Sequence, residues 1–309
     1  MKKTAVVFAG QGAQAVGMGK DLVVAHAECK DLFDRASGVL GFDLARLCAE
    51  GPIEEITRSD NCQPAIFVTS AACFTALKKL HPDFQASGFA GLSLGEWTAL
   101  WAGGVLSFED AVKVLKVRGK AMQEACEERQ GGMVSVMGLA MPELEKVCAA
   151  AGVQMANINS PEQIVLSGEK AKIAEAEKLA QAAGAKKTVV LPVAGAFHSP
   201  LMASAGAKLE QILKEVVLHA PAVPVVSNVT GRPHGTPDEI KALMVRQVTS
   251  SVQWVSSIEW FGQQGVKDYF ECGPGKVLAG LIKRIDKDSA AVSIGDVATL
   301  DKAVAGLKG

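Results

Sequence analysis

Apolar runs and helical repeats alternate along this chain. TAVVFAG near the N-terminus gives way to a helical pattern through Asp31 to Leu40, then to QPAIFVTSAACFTALKKL, then to a run that ends in FAGLS. Short continuous apolar runs mark buried strands, whereas apolar positions recurring at helical spacing mark amphipathic helices. The order is a βα series, which predicts a parallel sheet covered by helices. The long helix is expected to begin near Gln63, with Pro64 in its first turn, where a missing N–H is harmless.

From Gly131 to Val193 the rhythm changes. MVSVMGL reads as a strand, MPELEKVCAAAG as a helix stopped by Gly152, and VQMANIN and QIVLSG as strands around the turn Asn159-Ser160-Pro161. AKIAEAEKLAQAAG and KTVVLPV add a second helix and a last strand. The order βαββαβ is that of a ferredoxin-like unit. It predicts a small insertion, 131–194, in a larger α/β-hydrolase-like unit made of 1–130 and 195–309. The larger unit resumes with a helix after His198, a strand PVVSNVTG, a helix around Pro237 to Gln247 and a strand VKDYFECG. A chain of 309 residues exceeds the roughly 250–300 at which single cores stop growing, so a large unit with a smaller insertion is the natural expectation.

Composition narrows the setting. Hydrophobic residues make up 49% and charged residues 21%, as in ordinary globular domains. No stretch approaches the roughly 20 apolar residues of a membrane span. Two lysines precede the first apolar run, but Gln11 and Gln14 interrupt it too early for a secretory signal. The seven cysteines are an odd number without a CxxC pair, which points to free thiols in the reducing cytoplasm. A net charge of -1 without long basic runs leaves no electrostatic footprint for nucleic acid or an anionic membrane. No His/Cys/Asp cluster has metal-ligand spacing.

Four features carry chemistry. Gly91-Leu92-Ser93-Leu94-Gly95 is a GxSxG between an apolar run and a helical stretch, the context a nucleophile elbow needs; a plain glycine-rich connection is the alternative. His198 lies in a loop at the junction of the two units, either as the base for Ser93 or as an exposed loop histidine. Arg118 falls on the apolar stripe Ala111, Val114, Leu115, Ala121, Met122 and Ala125 of a helix opened by Ser107 and Asp110, while Lys113, Lys116 and Lys120 lie off it. A core-facing guanidinium requires a carboxylate, supplied by a protein Asp or Glu or else by a substrate. The turn Phe8-Ala9-Gly10-Gln11-Gly12 has backbone N–H groups suited to an oxyanion hole with that of Leu94, and is otherwise only a turn.

Together these segments resemble the malonyl-CoA:acyl carrier protein transacylases, and more broadly the acyltransferase domains of fatty-acid and polyketide synthases. The resemblance runs through FAGQGAQAVGMGKDL, QPAIFVTS, GLSLGEWTAL, VRGKAMQEA, ANINSPEQIVLSG, AFHSPLM, NVTG and ECGPGKVLAGLIKR. It implies that Ser93 is acylated, that His198 is its base and that Arg118 grips the free malonyl carboxylate. Gln11 and Leu94 match oxyanion donors, Gln247 matches a glutamine whose carbonyl orients the histidine, and Asn228 lies in a further motif whose role stays open.

The resemblance also implies a ping-pong transfer from malonyl-CoA to the phosphopantetheine thiol of an acyl carrier protein, supplying fatty acid biosynthesis. No cofactor is expected to be permanently bound, since coenzyme A arrives as a thioester substrate; a cytoplasmic monomer is expected. Ala9, Ala13 and Leu92 depart from the usual FPGQGSQ and GHSxGE, and Leu92 removes a polar neighbour of the nucleophile. Phe197, ahead of the histidine, resembles the malonyl-selective members. The rival readings are a serine hydrolase, for which no acid between Ser93 and His198 makes a convincing third triad member, and a non-catalytic carrier-binding protein.

Overall fold

The computed structural model describes residues 3–193 and 195–308. Position 194, the expected end of the insertion, lies outside the described residues, as do the first two positions and 309. Eight strands are named in chain order: β1 (Thr4–Phe8), β2 (Gly88–Gly91), β3 (Gly131–Met137), β4 (Gln154–Ser160), β5 (Gln163–Glu169), β6 (Lys187–Val190), β7 (Asp268–Cys272) and β8 (Ala290–Ile294). One sheet runs β2-β1-β7-β8 and is parallel throughout. The other runs β4-β5-β3-β6 and is antiparallel.

A parallel sheet needs both faces covered, so its central strands are buried on both sides. β1 meets that condition at all five positions, four of them apolar. Val6 and Phe8 enter the larger core with the helices Ser59–Leu80 and Phe108–Glu128, while Ala5 and Val7 enter a second core with Trp254, Ile258, Phe261 and Leu281. The antiparallel sheet has a third core, in which Val134, Val136, Ile164 and Leu166 pack on Leu144, Val147 and Ile173 of its two helices. Its order is the ferredoxin-like order read from the sequence.

Two expectations about elements require correction. The long helix begins at Ser59, so Pro64 lies inside it and not in its first turn. Packing explains the extra turn: a Cβ at Gly119 of the neighbouring helix would stand 2.4 Å from the Ser59 carbonyl oxygen, so glycine alone lets the two backbones meet there. PVVSNVTG does not form a strand. It makes single bridges only, Val225 with Phe89 and Val226 with Pro233, because the chain reverses at once through Ser227 N–H donating to Arg232 O and Gly231 N–H donating to Ser227 O.

The two sheets communicate through β4. Ile158 N–H donates to Val252 O (2.9 Å) and Val252 N–H donates to Ala156 O (2.8 Å), tying the edge of the antiparallel sheet to the segment that follows the helix Pro237–Gln247. No helix among the described residues is long and apolar enough to cross a membrane.

Candidate active site

Ser93 stands between β2 and the helix Gly95–Ala102 with a left-handed backbone, φ 54°. The glycines around it are dictated by contact. A Cβ at Gly91 would lie 2.0 Å from the Gly95 carbonyl carbon, one at Gly95 would lie 2.3 Å from Phe8 O, and one at Gly10 would lie 2.5 Å from Leu92 O. The elbow is therefore wedged against the end of β1 and the Gly10 turn. Asn228 closes it from behind: Ser93 N–H donates to Asn228 Oδ1 (2.7 Å), and Asn228 Nδ2 donates to Gly91 O (2.8 Å). Both ends of this fully buried amide are engaged by the elbow's own backbone.

His198 is the second left-handed residue, φ 57°, and with Ser93 it completes the non-glycine residues of that conformation among the described positions. Its Nε2 lies 2.8 Å from Ser93 Oγ and its Nδ1 2.8 Å from Gln247 O. A carbonyl only accepts, so the ring proton sits on Nδ1 and Nε2 is free to accept from the serine. The ring is buried, not an exposed loop side chain. Burial, helped by the nearby Arg118 charge, pushes its pKa down to about 4, so the imidazole is neutral near pH 7.

Arg118 lies where the helical stripe places it, with 1% of its surface exposed. Its Nη1 donates to Gln63 Oε1 (2.6 Å), and its Nη2 donates to Gln247 Oε1 (2.9 Å) and Ser93 Oγ (3.2 Å). The protein Asp or Glu partner that burial alone would suggest is not among these contacts; the guanidinium rests on two amides and the nucleophile. Burial lowers its pKa to about 10, with Glu96 opposing the shift, so it stays charged at neutral pH. Its Nε has no partner among the described residues.

Three participants escape the sequence. Gln63 was visible only as the first residue of QPAIF. Glu96 and His234 are buried, with Glu96 Oε1 2.7 Å from His234 Nε2 and Glu96 Oε2 accepting from Gln247 Nε2 at 2.6 Å. His234 looked like one more polar turn histidine; its distance along the chain from Glu96 hides the pairing. Gln247 Nε2 also donates to Ser93 O (2.8 Å).

Gln11 and Leu94 flank the nucleophile from the two glycine turns, and neither backbone N–H is taken up by an acceptor among the described residues. The thiol nearest in sequence to this network, Cys62, is pushed up to about 12 by burial and is inert beside the serine. Among the described residues no group of three or more His, Cys, Asp or Glu side chains is placed to hold a metal.

The arrangement sets a serine hydroxyl between a carbonyl-oriented histidine and a buried arginine. A model of the acyl transferase domain matches residues 5–277. The chain belongs to the acyl transferase family. This acyltransferase is 39% identical over 305 residues to the malonyl CoA-acyl carrier protein transacylase of Haemophilus influenzae, a match covering 97% of this chain and 98% of that one. The crystal structure of an acyl carrier protein S-malonyltransferase from Vibrio cholerae superposes with a TM-score of 0.94 at 40% identity, covering 98% of this acyltransferase and 100% of the other chain. A malonyl-transacylase solved in complex with its type II PKS acyl-carrier protein superposes with a TM-score of 0.95 at 36% identity, over 99% and 100% of the two chains.

Proposed function

We propose that this acyltransferase carries a malonyl group from malonyl-CoA to the phosphopantetheine thiol of an acyl carrier protein through a malonyl-serine intermediate, supplying fatty acid biosynthesis. The observation that carries the reading is Arg118, a buried cation without a carboxylate in hydrogen-bond contact among the described residues, whose Nη2 stands 3.2 Å from Ser93 Oγ. A carboxylate arriving with the acyl group restores the missing charge partner, and a guanidinium can hold it through two parallel hydrogen bonds.

In the first half-reaction Ser93 Oγ attacks the thioester carbonyl and passes its proton to His198 Nε2. The tetrahedral oxyanion is received by the N–H of Leu94, at the N-terminus of the elbow helix, and that of Gln11, in the turn after β1. The thiolate of coenzyme A departs with the proton from His198, leaving the serine ester. In the second, the carrier's thiol gives its proton to His198, attacks the ester carbonyl and releases Ser93 by the reverse sequence. One site serves the donor and the acceptor in turn, which gives ping-pong kinetics. Gln247 orients the histidine through its carbonyl, and Asn228 holds the elbow rather than the substrate.

Similarity to a transacylase captured with its carrier supports the acyl carrier protein as partner. A serine hydrolase is disfavoured because Nδ1 of His198 faces a main-chain carbonyl in place of a triad carboxylate. A purely scaffolding role would leave the Ser93–His198 contact without purpose. In this reading 131–194 is an inserted unit and 1–130 with 195–309 the catalytic one, and the protein works as a cytoplasmic monomer without a permanently bound cofactor, membrane or nucleic acid. Phe197, directly ahead of the histidine in the chain and buried in the large core, fits the malonyl-selective pattern rather than one for branched acyl groups.

Mass spectrometry after brief exposure to malonyl-CoA tests the proposal. A malonyl adduct on Ser93 that is lost as malonyl-carrier forms, and is absent in Ser93→Ala, is the expected result. Free malonate with an unmodified carrier would turn the reading to a hydrolase. Arg118→Ala should cost malonyl transfer on the order of a hundredfold more than acetyl transfer, since a partner is lost only for the donor that carries a carboxylate. Equal losses for the two donors would remove the arginine from this role.

A further inference from the structure

Apart from the Glu96 N–H that donates to Ser93 O (3.1 Å), the buried pair Glu96 and His234 makes no hydrogen bond to Ser93 or His198; its side chains meet each other and Gln247. Gln247 lies between the pair and the arginine: its Nε2 donates to Glu96 Oε2 (2.6 Å) and Ser93 O (2.8 Å), and its Oε1 accepts from Arg118 Nη2 (2.9 Å). We propose that Glu96 is a positioning residue for donor selection, whose carboxylate, backed by His234, fixes the orientation of the Gln247 amide and so keeps that amide's oxygen against Arg118. The inference rests on the malonyl reading above and adds a residue to it.

An amide has an NH2 face and an oxygen face of nearly equal size, so shape alone does not choose between its two orientations. An ionised carboxylate accepts only. Placed against Gln247 it admits the NH2 face, and the oxygen face is left for the guanidinium, which donates only. Reversal would set oxygen against oxygen at Glu96 and nitrogen against nitrogen at Arg118, both in the buried interior where such mismatches cost most. Ser93 O, a second acceptor for the NH2 face, favours the same orientation.

His234 completes the device. Its Nε2 lies 2.7 Å from Glu96 Oε1, and its Nδ1 has no partner among the described residues. A buried N–H without an acceptor is costlier than a bare lone pair, so the ring proton belongs on Nε2, donating to the carboxylate. Glu96 thus receives a donor on each oxygen. It lies at the start of the elbow helix, where negative charge is also favoured.

Consequently Arg118 is aimed without being neutralised. A carboxylate in direct contact would hold the guanidinium more firmly but would compete with the malonyl carboxylate for the same hydrogen bonds. An amide oxygen orients the fork and yields it more readily, because hydrogen bonds between charged partners are roughly twice as strong as neutral ones.

Glu96→Gln is nearly isosteric and tests the proposal, because a glutamine offers either face to Gln247. Initial rates with malonyl-CoA and acetyl-CoA are compared in wild-type and variant. The expected result is a rise in KM for malonyl-CoA and a fall of about tenfold in the malonyl-to-acetyl ratio of kcat/KM, the size of one lost hydrogen bond to a charged group. A fall in KM for malonyl-CoA would show that Glu96 acts only by its field on Arg118, and equal loss for both donors would show general damage to the fold; either overturns the proposal, as does an unchanged ratio. His234→Ala, which removes the donor to Glu96, gives the same readout should Glu96→Gln not fold. A wild-type protein that shows no preference for malonyl over acetyl would instead refute the underlying malonyl reading.

Discussion

His198 shows how burial tunes a single residue for its work. An ordinary histidine titrates near pH 6.5, where half the population would be protonated and useless as a base. Burial pushes this one down to about 4, so the neutral form persists across the physiological range. The same shift affects the fold. On acidification the unfolded chain takes up its proton first, near pH 6.5, and the folded chain only near 4. Stability is therefore complete above about 6.5 and declines as pH falls toward 4, by up to about 3 kcal/mol from this group. Thermal unfolding of wild-type and His198→Gln between pH 7 and 4 checks this: the wild-type midpoint should fall more steeply, and parallel curves would contradict it. Arg118 was legible for a related reason. Its helix announces a buried face by periodicity, and a cation on that face stands out. Glu96 was not, because its partners His234 and Gln247 are 138 and 151 residues away and nothing local separates it from any acid in a first helical turn.

At the level of elements, periodic patterns were the most legible and tertiary contacts the least. The helix bearing Arg118 and the βαββαβ order could be read directly, since each buries one regular face. PVVSNVTG could not, because its composition is that of a strand and only a reversal fixed by Ser227 and Gly231 breaks the pairing. Pro64 misled for a similar reason: the turn before it is held by a neighbouring helix, not by its own sequence. That neighbour offers a prediction. Gly119→Ala would place a methyl 2.4 Å from Ser59 O, so the arginine helix must move away from the long helix that supplies Gln63. A loss of about 1–3 kcal/mol is expected, together with a raised KM for malonyl-CoA as Arg118 and Gln63 separate. Denaturant unfolding and initial rates read the two effects, and a fully stable variant with unaltered KM would contradict the contact.

For the whole molecule, the site depends on both sheets at once. Ser93 follows the parallel sheet directly, whereas His198 follows the last strand of the antiparallel one, and Gln247, whose carbonyl meets the histidine, lies five residues before the Val252 that bonds to β4. The bonds between β4 and Val252 therefore hold more than an edge. Val252→Pro removes the N–H that donates to Ala156 O, at an expected cost of about 1–3 kcal/mol for the acceptor left unpaired. It should also lower kcat, as the segment after Gln247 loosens and the carbonyl at His198 drifts. Hydrogen exchange across β4, measured alongside turnover, would show both changes; faster exchange with undiminished kcat would mean that the two sheets are coupled more weakly than their contacts suggest. The order of strands in the small sheet was legible from sequence, whereas this link was not, because a single bridge leaves no periodic trace.

Two positions hold every left-handed non-glycine backbone among the described residues, Ser93 and His198, the proposed nucleophile and its proposed base. Each such residue costs on the order of 1–2 kcal/mol that glycine would not incur. A designer asked only for a sturdier molecule would turn first to Ser93 and write in glycine. The fold would accept the change, and the chemistry would vanish with it. Optimising this scaffold by thermal tolerance alone thus selects against the reaction it supports, so any programme of stabilisation has to leave the elbow unimproved.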